Sequence, residues 1–161
     1  MSTYILPGSE RKALIGATIA GPANPKELLQ LTLVLRHNAV AGLQDPVERL
    51  SKGVFPPAPL TREAFVTQFG ARAEDIKAVS KFAAAHHLSV ISVNRAARTV
   101  VLSGTVRNVD EAFEVKLQRY KHLAGTYRGR EGQITLPDTL KDVVQAVLGL
   151  DNRPQARANF R

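Results

Sequence analysis

The sequence has no cysteine. Disulfides, thiolate metal sites and cysteine nucleophiles are thereby excluded, while the compartment stays open, because a chain of 161 residues can fold without bridges in any compartment. There is no tryptophan, a single methionine and only 6% aromatic residues, so the core has to be built from Ala, Val and Leu. No apolar run approaches the length of a membrane span, and no membrane contact is expected. The N-terminus, Met1 to Lys12, lacks both the basic start and the apolar stretch of a signal peptide. His37, His86, His87 and His122 are scattered, and the neighbouring pair suits a helix C-terminus better than one shared ion. No metal and no cofactor are expected in this chain. The glycines of Gly125 to Gly132 lack the spacing of a phosphate loop or a dinucleotide fingerprint.

What is present is a chain with 44% hydrophobic residues, enough for a core, and a net charge of +8. The length fits one domain. The charge favours acidic partners: nucleic acid, an anionic surface or an acidic protein.

Residues 1–27 hold Pro7, Gly8, Gly16, Gly21, Pro22 and Pro25, which predicts an extended N-terminal arm. Leu28 to His37 reads as a strand, with Leu31, Leu33 and Leu35 on one face and Thr32 and Val34 on the other. The stretch 38–59 reads as loop: Asp45-Pro46 signals a turn, and Pro56, Pro57 and Pro59 prevent a regular element, although a short helix fits around Val47 to Leu50. Thr61 caps a helix ending at Gly70, and a second, amphipathic helix follows from Ala73, with Ile76, Val79 and Ala83 in one stripe. Leu88 to Val93 and Thr99 to Ser103 read as a hairpin. Asn108, three residues before Glu111, resembles a capping box that starts a short helix. Val115 to His122 alternates as a strand, with Leu117 on the helix side and Gln118 and Tyr120 on the other. Ile134 to Leu136 reads as a short strand. A last helix is expected from Pro137 or Asp138 through Leu140, Val143, Val144, Val147 and Leu148 to Gly149.

The order gives an α+β fold: a ferredoxin-like β-α-β-β-α-β antiparallel sheet over residues 28–150 with helices on one face, plus the arm 1–27 and a C-terminal linker over residues 151–161. In the hairpin, apolar residues occupy both registers, so the helix-free face is expected to carry apolar surface for a partner. Thr32, Val34, Gln118 and Tyr120 are the candidates for that face. Tyr120 and Tyr127, amid Arg119, Lys121, Arg128 and Arg130, also allow an RNA-stacking platform, but the signature of the RNA recognition motif is missing and no nucleic acid is expected.

Leu102 to Phe113, then the tyrosines of Leu117 to Pro137, then Val143 to Arg161 resemble the activation prodomain of the sedolisin or kumamolisin family of serine-carboxyl peptidases. The likeness extends to LPGSER near the start, to LTREAFVTQFGA, and to HHLSVISVNRAARTVVLSG. Ser103-Gly104-Thr105 echoes that family's nucleophile motif, but Val106 stands where its serine would be, and no helix carries a convincing carboxylate pair facing a serine. The chain is therefore not expected to be an enzyme; the catalytic machinery is expected outside it. The resemblance implies a propeptide that chaperones and inhibits the catalytic domain of a secreted, extracellular peptidase and leaves any calcium site to the catalytic domain; from its complete core pattern, the isolated domain is expected to be monomeric. The alternatives are an RNA-binding domain of the same topology and a stand-alone protease inhibitor acting in trans. Arg157, Asn159, Phe160 and Arg161 lie in a polar tail open to proteolysis, with Phe160 as its one large apolar group. Asp110 and Glu114 are expected to pair with the catalytic domain and to weaken that contact in acid.

Overall fold

The computed structural model describes residues 2–38, 47–54, 59 and 61–153. The main sheet has four strands in the order Ser89–Asn94 (β4), Thr99–Thr105 (β5), Leu28–Leu35 (β3) and Val144–Leu148 (β9), all antiparallel. Its centre is β3 (Leu28–Leu35), whose strict alternation buries Leu29, Leu31, Leu33 and Leu35. Beside it runs β5 (Thr99–Thr105), which buries Val100 and Leu102 on the same side. Gly104 continues that buried register; a Cβ there would lie 2.3 Å from Cδ2 of Leu88, so glycine lets the start of the next strand over pass close by. That strand, β4 (Ser89–Asn94), is the sheet's edge, and every residue in it is exposed.

The helices cover the buried side. In α1 (Arg62–Phe69), Thr61 caps the helix by accepting the N–H of Ala64, as its sequence predicts. In α2 (Ala73–Ala85), Val79, Phe82 and Ala83 face the core. Arg36 at the end of β3 donates two 2.9 Å hydrogen bonds to the buried carboxylate of Asp75, pinning the first turn of α2. The third helix, α3 (Val106–Phe113), begins earlier than the capping-box reading implies. Thr105, not Asn108, is the cap, and its hydroxyl accepts the N–H of Asn108. Asn108 instead donates to the carbonyl of His87, and Glu111 pairs with Arg107. Phe113 meets Phe82 edge-on at 5.6 Å, joining α3 to α2.

Two expectations are overturned. The segment 138–149 is not a helix: Asp138–Leu140 is a short 3-10 turn, and Val144–Leu148 is the strand β9 along β3. Leu140, Val143, Val144 and Val147 satisfy helical spacing, but β-branched residues fit a strand equally well, and the free edge of β3 decides between them. Asp142, in the left-handed region at φ 60°, breaks any helix there. The strand expected at Val115 to His122 is β6 (Gln118–His122), and it does not join the main sheet. It sits between β2 (Thr18–Pro22) and β7 (Gly125–Gly129) in a separate sheet.

The N-terminal segment is extended, as expected, but it is woven into the fold rather than laid on it. It supplies β2, and β1 (Thr3–Ile5) pairs with β8 (Thr135–Pro137). At the other end, Asn152 donates to the carbonyl of Arg128 and accepts its N–H, closing the outer edge of β7. The tail residues Arg157, Asn159, Phe160 and Arg161, and the turn at Asp45-Pro46 with Pro56 and Pro57, lie outside the described residues.

Candidate partner-binding face

Opposite the helices, the main sheet leaves one broad surface open among the described residues. Strand register fixes its membership. Gln30 lies opposite Ser103, Thr32 opposite Val101 and Leu148, and Val34 opposite Thr99 and Ala146. On the other side of β5, Ser92 faces Val101 and Asn94 faces Thr99. Leu28 and Thr105 close one end. None of these positions carries a charge, in a chain whose residues are 22% charged. Leu28 is 74% and Leu148 52% exposed, while Thr32, Val34 and Val101 are half-buried by their neighbours.

An uncharged surface of aliphatic and hydroxyl side chains can be covered without stripping water from an ion, which is the large penalty at interfaces. The chemistry of such a face is contact. Ser103 stands mid-strand between Gln30 and Ser89, neutral neighbours that cannot take its proton, so the Ser103-Gly104-Thr105 triplet is strand structure. A separate groove of about 720 Å³ is lined by residues that include Tyr4, Arg36, Asp142 and Gln145. Two of its polar groups are already engaged: Arg36 on Asp75, and the Tyr4 hydroxyl donating to the carbonyl of Leu140.

The four residues expected to share the partner-facing side are divided between two sheets. Thr32 and Val34 belong to the uncharged face. Gln118 and Tyr120 belong to β6 in the second sheet, and Tyr120 is only 1% exposed. Its ring stacks on Tyr127 with centroids 5.1 Å apart and planes at 11°, and its hydroxyl donates towards Gln118 and Glu131. Burial, then the nearby Glu131, raises its pKa. Arg153 lies 5.2 Å over the Tyr127 ring, and the Tyr127 hydroxyl accepts the N–H of Leu14. A nucleic-acid platform needs open ring faces; these two rings are closed on each other and on the chain ends. Alternation along β6 distinguishes its two sides, but not the sheet it joins.

Sequence reasoning set Val101 in the register opposite Val100 and Leu102 but missed Ala146 and Leu148. The last two were hidden inside the expected helix, where the β-branched pair Val143-Val144 was the available signal. Asp110 lies in the last turn of α3 and Glu114 caps it, both on the helix side. The Asp110 carboxylate accepts the N–H of Leu117 within the domain, and its pKa is raised to about 6, chiefly by desolvation, with the Leu117 hydrogen bond opposing. Glu114 is the left-handed C-cap of that helix. Neither lies on the uncharged face.

Among the described residues, no group of three His, Cys, Asp or Glu side chains is placed to hold a metal ion, and no helix is long and apolar enough to cross a membrane.

A family model described as Pro-kumamolisin, activation domain, matches residues 16–153. Kumamolisin from Bacillus sp. (strain MN-32) is 38% identical over 159 residues, which is 98% of this chain and 29% of that protein. The chain thus spans less than a third of the relative's length.

Proposed function

The chain belongs to the pro-kumamolisin activation domain family, and from that premise we propose that it is the propeptide of a secreted sedolisin-type zymogen, serving as intramolecular chaperone and temporary inhibitor of the catalytic domain. The observation that carries this reading is the uncharged sheet face. A helix-backed sheet with one open, ion-free surface is suited to cover a second folded unit. The strand order β4-β5-β3-β9, with helices on one side, is read as the ferredoxin-like arrangement, its last strand being β9.

The physical logic of the chaperone role is kinetic. Domains dominated by non-local strand pairings fold slowly, because loop-closure entropy is lost before the contacts form. A preformed face that gathers two distant elements lowers that barrier, and the same contact obstructs the cleft until it is cut. Any calcium is assigned to the catalytic domain. The tail beyond Arg153, with Phe160, is assigned to the passage between the two domains.

Inhibition in trans tests the reading. The folded chain, titrated against mature kumamolisin, is expected to inhibit it. Val101→Arg places a guanidinium in the centre of the face, where the free domain leaves it in water. Burying it unpaired costs about 3 kcal/mol, roughly a hundredfold in affinity. A folded chain that does not inhibit, or a Val101→Arg variant that inhibits as well as the wild type, overturns this assignment.

A further inference from the structure

Among the described residues, no segment covers the outer edge of the main sheet at β4. All six residues of β4, Ser89–Asn94, are exposed, and their sequence, SVISVN, holds no charge and no proline. Edge strands present unpaired N–H and C=O groups, and proteins usually shield them with charges, proline or a covering segment. Other edges in this molecule are shielded in that way: β7 is closed by Asn152 through both of its bonds to Arg128, and β2 ends in Gly21-Pro22. On β4 the opposite has happened. Ile91 is 54% and Val93 42% exposed. The register shift between Val90 and Ser92 makes Ile91 the extra residue of a bulge, a device that re-aims a side chain.

Two features say what fits there. The edge is continuous with the uncharged face, because Ser92 and Asn94 belong to both; a body covering the face comes to lie beside the edge. The far end of the strand is cationic: the exposed Arg95 follows it directly, and no acidic residue occurs between Asp75 and Asp110. With a chain charge of +8, a second copy is repelled at long range, whereas a segment with an acidic end is attracted.

We propose that the partner docked on the sheet face adds an extended strand to β4, apolar or hydroxyl-bearing opposite Ser89–Asn94, with an acidic residue beside Arg95 and with Ile91 set into its surface. This rests on the reading of the chain as an inhibitory propeptide and names the second half of its contact. Main-chain hydrogen bonds supply affinity in such strand addition, and side-chain pockets supply choice.

The test uses the whole chain and mature kumamolisin as the probe. Hydrogen exchange of the wild-type chain, free and bound, is expected to show new protection of the β4 amides along with the face. Ile91→Lys and Val93→Lys, both at exposed positions, are expected to weaken inhibition at least tenfold while leaving the thermal midpoint within a few degrees. Should Val101→Arg abolish inhibition while both lysine variants inhibit normally and the β4 amides stay unprotected, the edge is unused although the face reading stands. Should the wild-type chain not inhibit at all, it is the propeptide reading that fails. Protection of β4 in the chain alone, rising with its concentration, would assign the edge to a second copy and overturn the proposal. The exchange experiment needs no variant, so misfolding of either lysine variant leaves the question decidable.

Discussion

Asp110→Asn should stabilise the domain at neutral pH, and the sign follows from the surroundings of the carboxylate. It lies in a shallow concavity shared with Pro22, Pro25, Arg107, Glu111 and Lys116, and it accepts the 3.1 Å hydrogen bond of Leu117 N–H. Desolvation outweighs that bond and raises its pKa from 3.8 to about 6. The folded state therefore holds its proton more tightly than the unfolded chain. Stability from this group is fully present below the unfolded value of 3.8 and is lost as pH rises through about 6. Such a difference would correspond to roughly 3 kcal/mol for a fully buried group; Asp110 is only half-buried, so solvent screening reduces this to about 1 kcal/mol. The asparagine amide keeps an oxygen to accept the Leu117 N–H and carries no charge to desolvate. Urea unfolding across the range from pH 3.8 to neutrality should show the variant about 1 kcal/mol more stable at neutral pH, near parity at the acid end, and a flatter profile between. A variant less stable at neutral pH, or one with the wild-type slope, refutes this account. Acid therefore strengthens the isolated domain through this group.

Arg36→Met is expected to cost more stability than Asp75→Leu, although both break the same pair: Asp75 is 3% exposed and would be stranded, a loss of about 3 kcal/mol, whereas Arg36, 31% exposed, reaches water and loses about 1–2 kcal/mol. Urea midpoints of the two variants check the order, and equal losses would refute it. Arg153→Ala removes the ion pair to Asp151, the 2.9 Å bond to the carbonyl of Lys12 and the cation over Tyr127; the expected loss is about 1–2 kcal/mol, with faster hydrogen exchange at Leu14 and Asn152, and unchanged exchange there would show that the clamp is idle.

The parts of the fold legible in the sequence are those where a single period applies. β3 alternates leucines without exception, and α2 keeps its stripe through Val79 and Ala83. β9 was illegible because Val143, Val144, Val147 and Leu148 satisfy both periods, and only the vacant side of β3 selects the strand. The candidate face was half legible for the same reason. Thr32 and Val34 follow from β3 alone, but Ala146 and Leu148 require β9 to be known. Tyr120 shows the converse: a correct strand with a misassigned sheet. Its neighbours Arg119 and Lys121 are exposed while its own ring is sealed by Tyr127, and that partner lies across a turn that no periodicity describes.

The composition of the open face also bears on how such a domain survives without its partner. The buried side of the same sheet is purely aliphatic along β3 and β5, with Leu31, Leu33, Val100 and Leu102 all at 1% exposure or less. Had the open side matched it, the isolated domain would present a large apolar patch and associate with itself. Instead, Thr32, Thr99, Ser103 and Thr105 alternate with Val34 and Val101 across the register. Hydroxyls stay hydrated when the face is free and lose far less than an ion would when it is covered. Net charge elsewhere on the chain, +8 in all, opposes the approach of a second copy at long range. A face built in this way is suited to a contact that must form during folding and be given up afterwards, since neither its covered nor its uncovered state carries a prohibitive free energy.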